Sequence, residues 1–68
     1  MASVLKKFGV KLRDVRQRVG ISQESLAEKA GLHRTYVSSV ERGERNISLQ
    51  NIERLALALN VSLRDLMP

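Results

Sequence analysis

Apolar residues at Leu5, Phe8, Leu12, Val15 and Val19 recur at steps of three and four, the spacing that puts side chains on one face of an α-helix. The pattern predicts a first helix over about Ser3 to Val19, stopped by Gly20, because glycine takes the left-handed conformation that closes a helix without steric cost. Ser22 is placed to cap a second, short helix, about Gln23 to Ala30, with Leu26, Ala27 and Ala30 as its apolar stripe and Gly31 at its end. A third short segment, from about His33 to Arg42, carries Val37 and Val40 one turn apart and stops before Gly43. Glu44 to Ile47 reads as a polar loop. Ser48 then caps a fourth helix with Leu49, Ile52, Leu55, Ala56 and Leu59 on one face, closed by Asn60. Ser62 with Asp65 makes a capping-box-like start to a final turn or two, Leu63 to Met67, before Pro68. No run alternates with the period of a strand, and there are no repeats or low-complexity stretches. The fold class is therefore all-α: a compact five-helix unit forming a single domain over residues 1–68.

A core of 68 residues is marginal unless a metal, a disulfide or a partner subunit supplements it. With no cysteine and the single histidine His33, neither a disulfide framework nor a Cys/His metal site can form, so no metal or cofactor is expected. The first residues, Met1 to Phe8, never build the apolar run of a signal peptide, and no stretch approaches the length that spans a bilayer. The expectation is a soluble cytoplasmic protein, at the nucleoid, with no membrane partner.

Twelve Lys and Arg against seven Asp and Glu give a net charge of +5, a field able to attract a polyanion. The excess is uneven: Lys6, Lys7, Lys11, Arg13, Arg16 and Arg18 fall early in the chain against Asp14, which a solvated helix face would also account for. One Tyr, one Phe and no Trp leave no set of aromatic platforms for single-stranded nucleic acid. Duplex DNA is the better-suited polyanion.

Two short helices joined by a Gly-containing turn form a helix-turn-helix over about 22–42, in which the first crosses the DNA backbone and the second enters the major groove. Small Ala27 lets the two backbones approach, although generic helical bundles also contain such pairs. On the third helix Val37 and Val40 point inward, flanked by Tyr36 and His33. Arg34, Thr35, Ser38, Ser39 and Arg42 point outward. That outward set suits base reading, since Arg pairs bidentately with guanine, Ser and Thr hydrogen-bond either way and the Thr methyl touches thymine. An ordinary polar surface needs only that they be hydrophilic. Gln23 begins the second helix, whose free amides and partial positive charge suit a phosphate. Tyr36 reads first as a half-buried packing residue whose hydroxyl is able to reach a phosphate.

The series Gln23-x-x-Leu26-Ala27-x-x-Ala30-Gly31-Leu32-x-Arg34-Thr35-Tyr36-Val37-Ser38-x-x-Glu41-Arg42-Gly43 resembles the phage repressor and Cro-type (XRE-like) helix-turn-helix family. The resemblance continues through Arg45-Asn46, the Ser48-Leu49 helix start and the Ala56 to Leu66 tail. Within that family the run from Arg34 to Ser38, followed by Glu41 to Asn46, is similar to controller proteins of restriction-modification systems. The resemblance implies a repressor-like DNA-binding domain. It assigns Gln23 to a phosphate or outer-base contact, Arg34, Thr35, Ser38 and Ser39 to base reading, and Arg42, Arg45 and Asn46 to the DNA backbone. It also implies an ion pair between Arg16 and Glu41.

Leu57 lies off the core face of the fourth helix and close in sequence to Val61, Leu63, Leu66 and Met67. This apolar surplus reads as a homodimer interface over about 57–67, although a closely docked C-terminal cap would also use it. A two-fold dimer calls for a pseudopalindromic double-stranded operator. With no separate ligand-binding domain, no small-molecule effector is expected. No phosphate-cradling glycine loop, metal cluster or nucleophile motif supports an enzyme. The rival reading is a protein-interaction module, such as an antitoxin, for which DNA binding is secondary.

Overall fold

The computed structural model describes residues 3–68, so Met1 and Ala2, the start of the expected 1–68 unit, lie outside the described residues. The described residues form five helices: α1 (Val4–Val19), α2 (Gln23–Ala30), α3 (Arg34–Glu41), α4 (Leu49–Leu59) and α5 (Leu63–Leu66). Four of them begin on a serine. The side chains of Ser3, Ser22, Ser48 and Ser62 each accept the backbone N–H three residues on, satisfying one of the amides that a helix start leaves unpaired. Ser62 and Asp65 complete a reciprocal capping box. The Ser62 N–H donating to it holds the Asp65 carboxyl below its ordinary pKa. Its contribution is therefore present above the ordinary value and is lost as pH falls through the lowered one.

At the other ends, Gly20, Gly31 and Asn60 adopt the left-handed conformation and return their N–H groups to the last turn. The third helix is shorter than the apolar spacing predicts. His33 is its N-cap, exposed rather than packed beside the inward face and making no side-chain cap bond, and Arg42 is its C-cap. The last helix likewise stops at Leu66, with Met67 as its cap.

One core unites the helices: Phe8, Leu12 and Val15 from α1, Leu26, Ala27 and Ala30 from α2, Val37 and Val40 from α3, Leu55, Ala56 and Leu59 from α4, and Leu66 from α5. α1 and α2 both pack on α3, α4 packs on α2, and α5 bridges α4 to α1.

Val19 and Leu49, members of the predicted stripes, do not reach this core. Val19 is 45% exposed and Leu49 is 71% exposed. Each sits at a helix terminus, where the opposing element has already turned away. Side chains lean toward a helix's N-terminus, so Leu49 at the first position of α4 overhangs the end of the core. A correction of opposite sense applies to Leu66. At 0% exposed it is packing for this chain itself and is withdrawn from the interface set.

Gly9, in the middle of α1, marks the closest approach between helices. A Cβ there would lie 2.4 Å from the carbonyl oxygen of Glu41 and 2.6 Å from that of Val40, so α1 crosses the C-terminal end of α3 backbone to backbone. Gly43 adds a second tight contact along the same seam, because its missing Cβ faces Cγ and Cα of Lys6 at 2.6 and 2.7 Å. α3 is therefore fixed against α1 at its C-terminal end and just beyond it.

Candidate nucleic-acid interface

α2 and α3 are joined by the three residues Gly31 to His33. Gly31, at φ 70°, turns the chain, and the Leu32 N–H donates to the Ala27 carbonyl at 2.9 Å. With Val37 and Val40 at 0% and 1% exposed, the inward face of α3 is fully covered and its rotation is set. Arg34, Thr35, Ser38 and Arg42 then line one shallow depression on the solvent side.

A buried polar network holds this arrangement from behind. Arg16 donates from Nε to Glu41 Oε2 at 2.6 Å and from Nη2 to Oε1 at 3.0 Å, while its Nη1 donates to the Ile21 carbonyl at 2.9 Å. The Gln23 amide donates to the same Glu41 Oε1 at 3.0 Å. The carboxylate side chain is 3% exposed and the guanidinium side chain 11%. A planar fork meeting a carboxylate at two points has a fixed geometry, so the start of α2, the end of α1 and the end of α3 are tied into one frame. Gln23, expected from the sequence to be a site residue, therefore also holds the frame, its amide nitrogen donating to Glu41.

Other expected site residues are dispersed. Ser39 donates its hydroxyl proton to the Tyr36 carbonyl at 2.9 Å and lies outside the depression of Arg34, Thr35, Ser38 and Arg42. It lines a neighbouring groove with Tyr36, Arg42 and Arg45, and Thr35 also lines that groove. There the Arg45 guanidinium lies over the Tyr36 ring, 5.5 Å from its centroid, a cation–π contact that positions the cation beside α3. The Tyr36 hydroxyl accepts from Asn51 Nδ2 at 3.1 Å, linking α3 to α4. Asn46 is exposed in the loop between them.

The C-terminal apolar residues also part company. Leu57 is 73% and Met67 41% exposed. Leu63 shares a depression with Leu49, whereas Val61 lines a groove against α1 with Lys11, Arg18 and Arg64.

Three residues of this region were not legible in the sequence. Asn51 looks like an ordinary solvated polar position, since its partner Tyr36 reaches it only when distant segments meet, and Glu44 looks like a loop charge, since nothing local announces that Arg42 two residues back turns onto it. Gly9 looks like a weak point of a helix, because nothing local announces the backbone that crosses it. Among the described residues no helix is long and apolar enough to cross a membrane.

A helix-turn-helix family model matches residues 12–66. The chain is 51% identical over 61 residues to control protein C.BamHI of Bacillus amyloliquefaciens, which covers 88% of this chain and 75% of that relative. It is 42% identical over 67 residues to control protein C.MunI of a Mycoplasma species, covering 97% of this chain and 90% of that one. Among solved structures, the restriction-modification controller protein C.AhdI from Aeromonas hydrophila superposes with a TM-score of 0.91 at 54% identity, over 93% of this chain and 96% of that one. The chain belongs to the helix-turn-helix family of DNA-binding transcription regulators, the phage repressor and Cro type that its motif residues resemble.

Proposed function

We propose that this chain is a restriction-modification controller: a single 1–68 unit that binds, as a homodimer, a pseudopalindromic operator in duplex DNA. The observation that carries this is the depression shared by Arg34, Thr35, Ser38 and Arg42 on a helix whose back is locked by Glu41, Arg16 and Gln23. Base reading requires such side chains on a rigid element. The relatives named as control and controller proteins support the narrower role. Arg34, Thr35 and Ser38 read base edges. Arg42, Arg45, Asn46, Tyr36 and the start of α2 at Gln23 grip phosphates.

Size and surface both support the dimer. The longest dimension of the chain is 31 Å, short of the roughly 34 Å that separates successive half-sites on a duplex, so one chain fills one half-site. Leu57, Leu63 and Met67, with Leu49 added, form the apolar contact between protomers. Leu57→Glu is expected to weaken the dimer at least about tenfold (about 1.4 kcal/mol) in sedimentation equilibrium without loss of helicity, because the side chain is 73% exposed. An unchanged association constant would remove Leu57 from the interface.

The function is tested by selecting bound sequences from a random duplex pool and measuring affinity by fluorescence anisotropy across salt concentrations. A two-fold consensus, with a log–log slope near 0.9 per neutralised phosphate, is the expected result. Weak binding without a consensus, together with a stoichiometric co-purifying protein, would replace the operator function with that of a protein-interaction module.

Two substitutions should fail in different ways. Arg34→Ala is expected to lower affinity for the selected operator by about 1–3 kcal/mol per half-site with little change on random DNA. Arg45→Ala should weaken all duplexes alike and flatten the salt slope by about one unit. Identical profiles for the two variants would contradict the division into base reading and backbone contact.

A further inference from the structure

The outward face of α3 carries a short chain of side chains that the helix-turn-helix geometry does not require. Arg42 donates from Nη1 to Ser38 Oγ at 2.5 Å and from Nε to Glu44 Oε1 at 3.0 Å. The Arg42 and Glu44 side chains are 55% and 59% exposed, and an ion pair so open to water adds little to stability. Glu44 also lies between Arg42 and Arg45 in sequence, two cations assigned to phosphates, where its own charge is repelled by a duplex. A carboxylate at that place neither holds the fold nor attracts DNA; its effect is on where the Arg42 guanidinium sits.

We propose that Glu44 is a specificity-determining residue, resting on the operator-reading function proposed above. It holds Arg42 against Ser38 and withholds that cation from indiscriminate phosphate contact. Two consequences follow from the chemistry. An Arg42 donor occupying one of the two lone pairs of Ser38 Oγ biases Ser38 towards offering its hydroxyl proton to a base. A guanidinium without Glu44 becomes a mobile cation that neutralises a phosphate on any sequence. Specificity is a difference of affinities, and Glu44 enlarges it by lowering the affinity for wrong DNA.

The test is Glu44→Gln, measured by anisotropy on the selected operator and on a scrambled duplex of equal length and composition over a salt series. Affinity for the scrambled duplex is expected to rise about three- to tenfold with a salt slope steeper by about 0.9, while operator affinity changes less than about twofold, so the preference falls by the same factor. In an Arg42→Gln background, Glu44→Gln should leave the preference unchanged, since the two act through one contact. Equal gains on both duplexes would overturn the proposal, because Glu44 would then act only as a charge at a distance. No change on either duplex, with the unsubstituted protein still selective, would overturn it and leave the operator function standing. An unsubstituted protein that does not prefer the selected duplex would overturn both.

Discussion

Glu41→Ala is expected to destabilise the fold by about 3–5 kcal/mol, the cost of removing one partner from a buried ion pair. The carboxylate is 3% exposed and receives two hydrogen bonds from Arg16 and one from Gln23. Its loss strands a guanidinium that is itself 11% exposed and leaves the half-buried Gln23 amide without its partner. Small domains have a total stability of only about 5 kcal/mol or somewhat more, so a large unfolded fraction at ambient temperature is the outcome to look for in urea titrations followed by circular dichroism. The double variant Arg16→Met/Glu41→Met should recover much of the loss, because apolar side chains of similar volume leave no buried charge unpaired. If the double variant is as unstable as the sum of the two single ones, Arg16 and Glu41 do not act as a unit.

Gly9→Ala should go against the usual sense of such a change. In a helix interior alanine is favoured over glycine by about 1 kcal/mol, and a surface position would show that gain. At Gly9 the added methyl meets the Glu41 and Val40 carbonyl oxygens at 2.4 and 2.6 Å, and backbone atoms cannot swing aside as a side chain can. Overpacking costs typically about 1–3 kcal/mol, so once the helix gain is subtracted a net loss of up to about 2 kcal/mol is expected. Part of the response will be a displacement of the end of α3 away from α1. Operator affinity should therefore drop further than the folded fraction accounts for. A stability equal to or above that of the unsubstituted chain would show that Gly9 does not fix the crossing.

Helix ends were the most legible feature of the chain, because their chemistry is local. A serine at the start and a glycine or asparagine at the end act through residues three or four positions away, and Ser3, Ser22, Ser48 and Ser62 do so here. The inward rotation of α3 was equally legible, since Val37 and Val40 leave one choice of face. Periodicity assigns a face but not a depth, which is why Leu49 and Val19 were placed in a core they overhang and why Leu66 was read as surface. What joins distant segments left little trace. Spacing alone carries no hint that Arg16 meets Glu41, and that pair came into view through family resemblance. Gly9 and Asn51 have meaning only through partners that the tertiary fold brings to them, and Glu44 only through the turn after α3 that sets it on Arg42 two residues back.

Arg34 and Thr35 are exposed, while the frame that aims them is built from Arg16, Gln23 and Glu41 behind α3. Under the proposed function, aim and choice thus reside in different side chains. A library randomised at positions 34 and 35 would accordingly keep its folded fraction while its preferred duplexes diverge. Related chains sharing one cell could then be insulated from one another's promoters by two surface substitutions, with no compensating change inside the protein.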